Sequence, residues 1–320
     1  MQYNNRKQGV LKMIITVTLN PAVDHSIEID GFKPGSVNKA SKTYKKAGGK
    51  GINVSKTISY AGGKTTATGF LGGKTGEWIA SEIQNADIID KFIITDKDTR
   101  TNIKIVDISN EEVTDINEKG ATLEHKYLDT LESSLYSMIN AEDIVVLSGS
   151  LPGGMSEDVY EKMILKSNEK GAKVVLDATQ EALRLALTTR PFMIKPNIHE
   201  LEEIFENPLD SIESIKEACL KFIESGVEVV LLSMGGDGAL LVTRDFIKKI
   251  DGIKVKVKNT VGAGDSMVGS FVFRYEQTKD LEEAFKYAVA TATVHVEEGT
   301  TLDKQKMIKG YLDQISVYSV

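Results

Sequence analysis

The sequence predicts an α/β protein with a mostly parallel, doubly wound sheet and a small second sheet beside it. Two textures in the chain lead to this. Beyond residue 138, short runs of Val, Ile and Leu alternate with segments of helical period, the βαβα order that builds a parallel sheet covered on both faces. Before that, two segments alternate apolar and polar residues with no helical pattern between them, as strands with one exposed face do. The textures interleave along 320 residues, so one domain over residues 13–320 is expected rather than two in succession.

The elements follow in order. Residues 1–12 are polar, lack the continuous apolar core of a signal peptide, and are expected to lie outside the fold as an N-terminal extension. The first strand begins at Ile14. The alternating segments HSIEIDGFKPGSVNKA (25–40) and RTNIKIVDISNEEVTDIN (100–117) are expected to form an antiparallel sheet. It would project as a lid, with strands over about 25–44 and 99–117. IVVL (144–147), KVVLDA (173–178), FMIKPN (192–197) and EVVLLSMG (228–235) are expected to be buried parallel strands. Between them, 156–171 and 211–226 each have a polar start, apolar spacing of three to four and a closing Gly, which predicts helices. IKVKVKN (253–259) alternates like a strand. Met267, Val268, Phe271, Val272 and Tyr275 share one helical face, which places a helix start near Gly264.

Composition narrows the function classes. The net charge is −7 and no Lys/Arg block stands out, which argues against a general nucleic-acid binder. No apolar run reaches the roughly 20 residues of a membrane span. Cys219 is the single cysteine, so no internal disulfide forms. This fits a reducing cytoplasm, the expected location. The four histidines are scattered and form no metal cluster; each is read as a solvated or packed residue.

The glycine-rich stretches point to phosphate, but two familiar motifs fail. Gly73-Lys74-Thr75 ends like a P-loop, yet the first glycine would have to stand at Thr68. A dinucleotide fingerprint would need glycine at Met267 or at Val54. The stretch KNTVGAGDSMVGSF (258–271) remains. Its small residues Gly262, Ala263 and Gly264 precede a helix whose first N–H groups lack partners and carry partial positive charge, so a phosphate can approach closely. Asp265 is then either a favourable charge in the first helical turn or a catalytic base.

The order of motifs decides between these. AGGKGINVS (47–55) and NTVGAGDS (259–266) resemble the two signatures of the ribokinase-like, PfkB-type carbohydrate kinases. TLNPAVD (18–24), TRTNIK (99–104), GSLP (149–152), KPNIHEL (195–201) and SMGGDGAL (233–240) stand between them in that family's order. The resemblance runs from Met13 to the end of the chain. Within the family it is strongest to the 1-phosphofructokinase and tagatose-6-phosphate kinase branch.

The resemblance implies a three-layer αβα sandwich with a small β lid. It also implies ATP-dependent phosphorylation of a sugar phosphate with Mg²⁺, K⁺ being a further candidate. Asp265 would be the general base, with the 262–264 turn holding the transferring phosphoryl group. Asp24, Gly48, Gly49, Asn53 and Asn102 would hold the sugar, and Lys39, Lys50, Arg100, Lys104 and Ser150 its phosphate. Lys195, Asn197, Ser233, Gly235, Gly238 and Thr260 would line the nucleotide site. Asn197 and Glu200 would organise Mg²⁺ through water. DATQEAL (177–183), GSLPGG and Ser270 depart from the family pattern without removing a catalytic group.

The expected acceptor is fructose 1-phosphate, giving fructose 1,6-bisphosphate, a choice to which Thr260 and Ala263 lean. Tagatose 6-phosphate is the alternative. A non-catalytic sugar-phosphate sensor and a dinucleotide oxidoreductase are readings of other classes. The lid offers a surface through which two copies could pair as a homodimer.

Overall fold

The structure, a computed structural model, describes residues 12–178, 181–298 and 304–320. All of the expected N-terminal extension except Lys12 falls outside them, as do Thr179 and Gln180 of the DATQEAL segment. β1 (Ile14–Thr18) is buried throughout and serves two cores, Ile15 and Val17 entering one and Ile14 the other. The chain then leaves for a hairpin, β2 (Ala22–Ile29) and β3 (Ala40–Gly48), and returns through α1 (Lys50–Tyr60) to β4 (Thr65–Gly72). Next come α2 (Gly73–Asn85), the short strands β5 (Ile89–Asp90) and β6 (Ile93–Thr95), and a second hairpin, β7 (Arg100–Asp107) and β8 (Glu112–Ile116). Helix and strand then alternate: α3 (His125–Met138), β9 (Ile144–Ser148), α4 (Val159–Glu169), β10 (Lys173–Asp177), α5 (Glu181–Thr189), β11 (Met193–Ile194), α6 (Ile198–Phe205), α7 (Ile212–Ser225) and β12 (Val229–Ser233). β13 (Ala239–Thr243), β14 (Ile247–Ile250), α8 (Ala263–Thr278), α9 (Leu281–Glu298), α10 (Lys304–Leu312) and β15 (Tyr318–Ser319) complete the chain.

The large sheet has the order β15-β14-β13-β12-β11-β10-β9-β1-β4-β5, parallel from β12 to β5 and antiparallel at the other edge. Helices cover both faces. One core joins β9 and β10 to α3, α4 and α7, and the other joins the same strands to α1, α8 and α9. The layers are therefore α, β, α. From β1 the chain adds β4 on one side and β9 on the other. The order reverses there and opens a crevice at the carboxyl ends, the usual ligand site of such sheets.

The second sheet has the order β3-β2-β7-β8. Its two hairpins are antiparallel, but the central pair, β2 with β7, is parallel, which corrects the all-antiparallel expectation. Between these strands the chain crosses the large sheet through α1, β4 and α2, and such a crossover returns the chain in the same direction. Polar alternation reports an exposed face and is silent on direction. The strands also begin and end beyond the expected bounds, at Ala22 and Gly48.

A second correction concerns IKVKVKN. β14 stops at Ile250, and residues 251–259 form no strand. Ile250 pairs with Ala239, the first residue of β13, so a longer β14 would run past the end of that neighbour. The segment is instead tied to α9, where the amides of Lys258 and Asn259 both donate to the Val296 carbonyl.

Candidate active site

Two helices begin at the crevice with unspent amides. α1 starts at Gly49 (φ 116°) and α8 at Gly262 (φ 86°), both backbone conformations that favour glycine, and neither cap has a side-chain hydrogen bond. Each helix start carries partial positive charge. The two meet where Asn53 Nδ2 donates to Asp265 Oδ2 at 2.8 Å. The first-turn carboxylate of α8 therefore faces the other helix and the cleft between them.

Asp265 is 7 % exposed. Burial pushes its carboxyl up to about 6, and the charge of Asp177 adds to this, while the Asn53 hydrogen bond, Lys50 and Lys195 pull it down. Asp177 ends β10 and has no role in the sequence reading. It is 1 % exposed, and its Oδ1 lies 3.1 Å from Lys50 Nζ and 3.4 Å from Lys195 Nζ. Burial alone would raise its carboxyl, but Lys195 and Lys50 together hold it below the usual carboxylate range. Two carboxylates in one cleft are thus driven apart: Asp177 is held towards its ionised form, and Asp265 is pushed up to about 6. Lys195 also lies beneath the α8 turn, since a Cβ on Gly264 would stand 3.3 Å from its Nζ.

The sugar-side residues gather on one face of the small sheet. The register gives three rows: Ala22 between Gly48 and Arg100, Asp24 between Lys46 and Asn102, and Ser26 between Tyr44 and Lys104. Asn102 Nδ2 donates to Asp24 Oδ1 at 2.9 Å. Burial raises the Asp24 carboxyl, while Asn102, Arg100 and Lys104 oppose the rise. Gly48 is required here because a Cβ would fall 2.0 Å from Asp24 Oδ2. Arg100 is anchored by donating to the carbonyls of Glu118 and Asn20, and Lys104 pairs with Asp115 at 3.5 Å. Asn20 Nδ2 reaches Ser150 Oγ at 3.2 Å and so joins the GSLP loop to the end of β1.

Lys46 was missed by the sequence reading. It sits opposite Asp24, and its ammonium is pushed down by lost hydration and by Lys104. Strand parity with Gly48 would have found it. Lys39 does not join this group. It is exposed and lies beyond the Ile29–Ala40 pair, at the far end of the hairpin from Asp24.

On the nucleotide side, Ser233 N donates to the Pro196 carbonyl, so the 195–200 and 233–238 segments lie together at the ends of β11 and β12. Gly235 is exposed, Gly238 lines the same turn, and Thr260 is exposed just before α8. Asn197 and Glu200 form a capping box on α6. Asn197 Oδ1 accepts from Glu200 N, and Glu200 Oε2 accepts from Asn197 N, both at 2.9 Å. This leaves Glu200 Oε1 and the unpartnered Asp177 Oδ2 as hard oxygen donors. No three His, Cys, Asp or Glu side chains among the described residues gather as a metal cage. The donors present suit Mg²⁺ carried on phosphates and reached through water.

The P-loop-like Gly73-Lys74-Thr75 binds within the chain. A Cβ on Gly73 would collide with the Asp98 carboxylate, and Thr75 Oγ1 donates to the Thr99 carbonyl. The start of α2 is therefore filled by the 95–99 loop. No described helix is long and apolar enough to cross a membrane.

Known proteins resemble this chain in sequence and in fold. The family model described as pfkB family carbohydrate kinase matches residues 17–306. A 1-phosphofructokinase of Borreliella burgdorferi is 37% identical over 314 residues, covering 96% of this chain and 99% of its own. A 1-phosphofructokinase of Bacillus subtilis is 38% identical over 307 residues, covering 95% and 99%. Among solved structures, Escherichia coli phosphofructokinase-2 in complex with substrates and products superposes with a TM-score of 0.89 at 29% identity, covering 94% of this chain and 99% of that one.

Proposed function

The chain belongs to the pfkB family of carbohydrate kinases and is a phosphotransferase with an alcohol acceptor, and from that premise we propose that it phosphorylates fructose 1-phosphate at O6 with ATP, Asp265 serving as general base. The observation that carries this reading is geometric: Asp265 is buried at the mouth of α8 and held by Asn53, in the same cleft as Asp177, which lies between Lys50 and Lys195.

The proposed step is an in-line transfer. The acceptor hydroxyl gives its proton to Asp265 as its oxygen bonds the γ-phosphorus, and the bond from that phosphorus to the bridging oxygen breaks to release ADP. Positioning and charge stabilisation do most of the work in such transfers. Lys195 and the amides of Gly262 and Gly264 would face the transferring group, that of Ala263 being bonded to the Thr260 carbonyl, and Lys50 would stand between it and the sugar. Mg²⁺ on the ATP phosphates would neutralise their charge, with Glu200 holding its water shell. Asp24 and Asn102 would hold sugar hydroxyls. Arg100, Lys104 and Lys46 would take the phosphate the acceptor already carries, a cationic face that suits a sugar phosphate better than a free sugar.

Fructose 1-phosphate is preferred because both curated relatives, covered almost end to end, carry the name 1-phosphofructokinase. Steady-state kinetics with MgATP and three acceptors tests the choice. Fructose 1-phosphate should exceed tagatose 6-phosphate and fructose 6-phosphate in kcat/KM by about tenfold or more, the lower end of what a small difference in fit commands. A higher value for tagatose 6-phosphate would overturn the acceptor. No ADP formation with any of the three would overturn the kinase reading in favour of a sensor.

A further inference from the structure

The turn before α8 is held from behind by a residue the mechanism has not used. His295 lies in the last turn of α9, with Nε2 2.8 Å from the Val261 carbonyl and Nδ1 2.8 Å from Ser266 Oγ. A carbonyl only accepts, so Nε2 carries the proton, and Nδ1 can then accept from the Ser266 hydroxyl. Ser266 N donates to the Gly262 carbonyl at 2.9 Å, and Ser266 Oγ stands 2.9 Å from the same oxygen. A Cβ on Gly262 would meet the imidazole at 3.3 Å, so the ring lies directly against the turn. The next residue of α9 takes part as well, its Val296 carbonyl accepting from the amides of Lys258 and Asn259.

These bonds set the direction of the amides in the turn. In a planar trans peptide the carbonyl of one residue and the N–H of the next point opposite ways. With the Val261 carbonyl drawn towards His295, the Gly262 N–H is turned to the other side, where it has no acceptor among the described residues. The Val261 carbonyl is also the natural intrahelical partner of the Asp265 N–H. The Val261 carbonyl bonds His295 and, at 3.3 Å, Asn259 Nδ2 instead, and the amides of Gly264 and Asp265 have no backbone acceptor among the described residues, whereas Ala263 N donates to the Thr260 carbonyl at 3.2 Å. We propose that His295 is a positioning residue: through Val261 it aims the amides of Gly262, Gly264 and Asp265 at the transferring phosphoryl group. The inference rests on the kinase reading above.

The test uses two amides of different reach. Glutamine places its Nε2 as many bonds from the backbone as histidine Nε2, so His295→Gln keeps the donor to Val261. Asparagine reaches only the Nδ1 position, so His295→Asn loses it. His295→Gln should stay within about threefold of wild type in kcat. His295→Asn should fall on the order of 10–100-fold, as for loss of an oriented donor at an anion hole, with the KM for both substrates within about twofold. Binding of MgADP–aluminium fluoride, a mimic of the transferring group, should weaken in His295→Asn and hold in His295→Gln. Equal behaviour of the two variants in kcat and in analogue binding would overturn the proposal, as would a loss confined to KM. If the wild type turned over no sugar phosphate, the kinase reading would fall, and the difference in analogue binding would still decide the role of His295.

Discussion

Asp265→Asn should reduce kcat by about 10³-fold or more, the upper part of the range for losing a positioned general base, while sugar-phosphate binding changes by less than about threefold. Asparagine keeps the shape, and its oxygen can still accept from Asn53; only the proton-accepting capacity goes. The same substitution should raise the thermal stability of the free protein at pH 7–8. The folded carboxyl titrates near 6 against an ordinary value of 3.8, so the folded state binds more protons than the unfolded one between those values. Stability is therefore lost as pH rises through that window, and the charged form is the less favourable one above it. The cost is at most about 3 kcal/mol, since each tenfold change in proton affinity is worth about 1.4 kcal/mol. Calorimetry alongside kinetics checks both halves. A variant that turned over at near wild-type rate would remove Asp265 from the mechanism.

Asp177→Asn should damage both folding and activity. It takes the nearest counter-charge from Lys50 and from Lys195, of which Lys195 is only 6 % exposed, and leaves Asp265 as the remaining buried carboxylate beside two cations. Breaking a buried ion pair on one side costs about 3–5 kcal/mol. With the lysines displaced, kcat/KM should fall on the order of 10²-fold, as when positioning groups move. The acid limb of the pH profile should move to lower pH, because a negative neighbour that raises the Asp265 carboxyl has gone. Chemical denaturation and a pH–rate profile on this variant check the two effects. An unchanged limb with lost stability would assign Asp177 to the fold alone.

These two aspartates show what the sequence makes legible. Asp265 stands out because local cues agree: small residues, a helix start and one carboxylate. The parallel strands stand out because burial on both faces demands continuous apolar runs. Asp177 does not, because its significance comes from Lys50 at the start of α1 and Lys195 after β11, both remote in sequence. The signal present was a carboxylate closing an apolar strand, where parallel sheets bind ligands. Lys46 hid for a related reason: its neighbours across the strands, Asp24 and Asn102, become visible only with the register. Lys39 stands apart from Asp24 because a long hairpin carries it there, which spacing in the sequence does not reveal. His295 reads as an ordinary scattered histidine in the sequence because only the packing of α9 behind the turn brings it to Val261. IKVKVKN alternates like a strand, but alternation without a partner strand forms no sheet.

The central claim is that a buried carboxylate near neutral pKa takes the acceptor proton. It is tested most directly by kcat/KM of the wild-type protein for fructose 1-phosphate from pH 4.5 to 8. The base must be ionised, so the profile should level off above about pH 6.5 and fall tenfold per pH unit well below about 6. A profile flat down to pH 4.5 would contradict the claim.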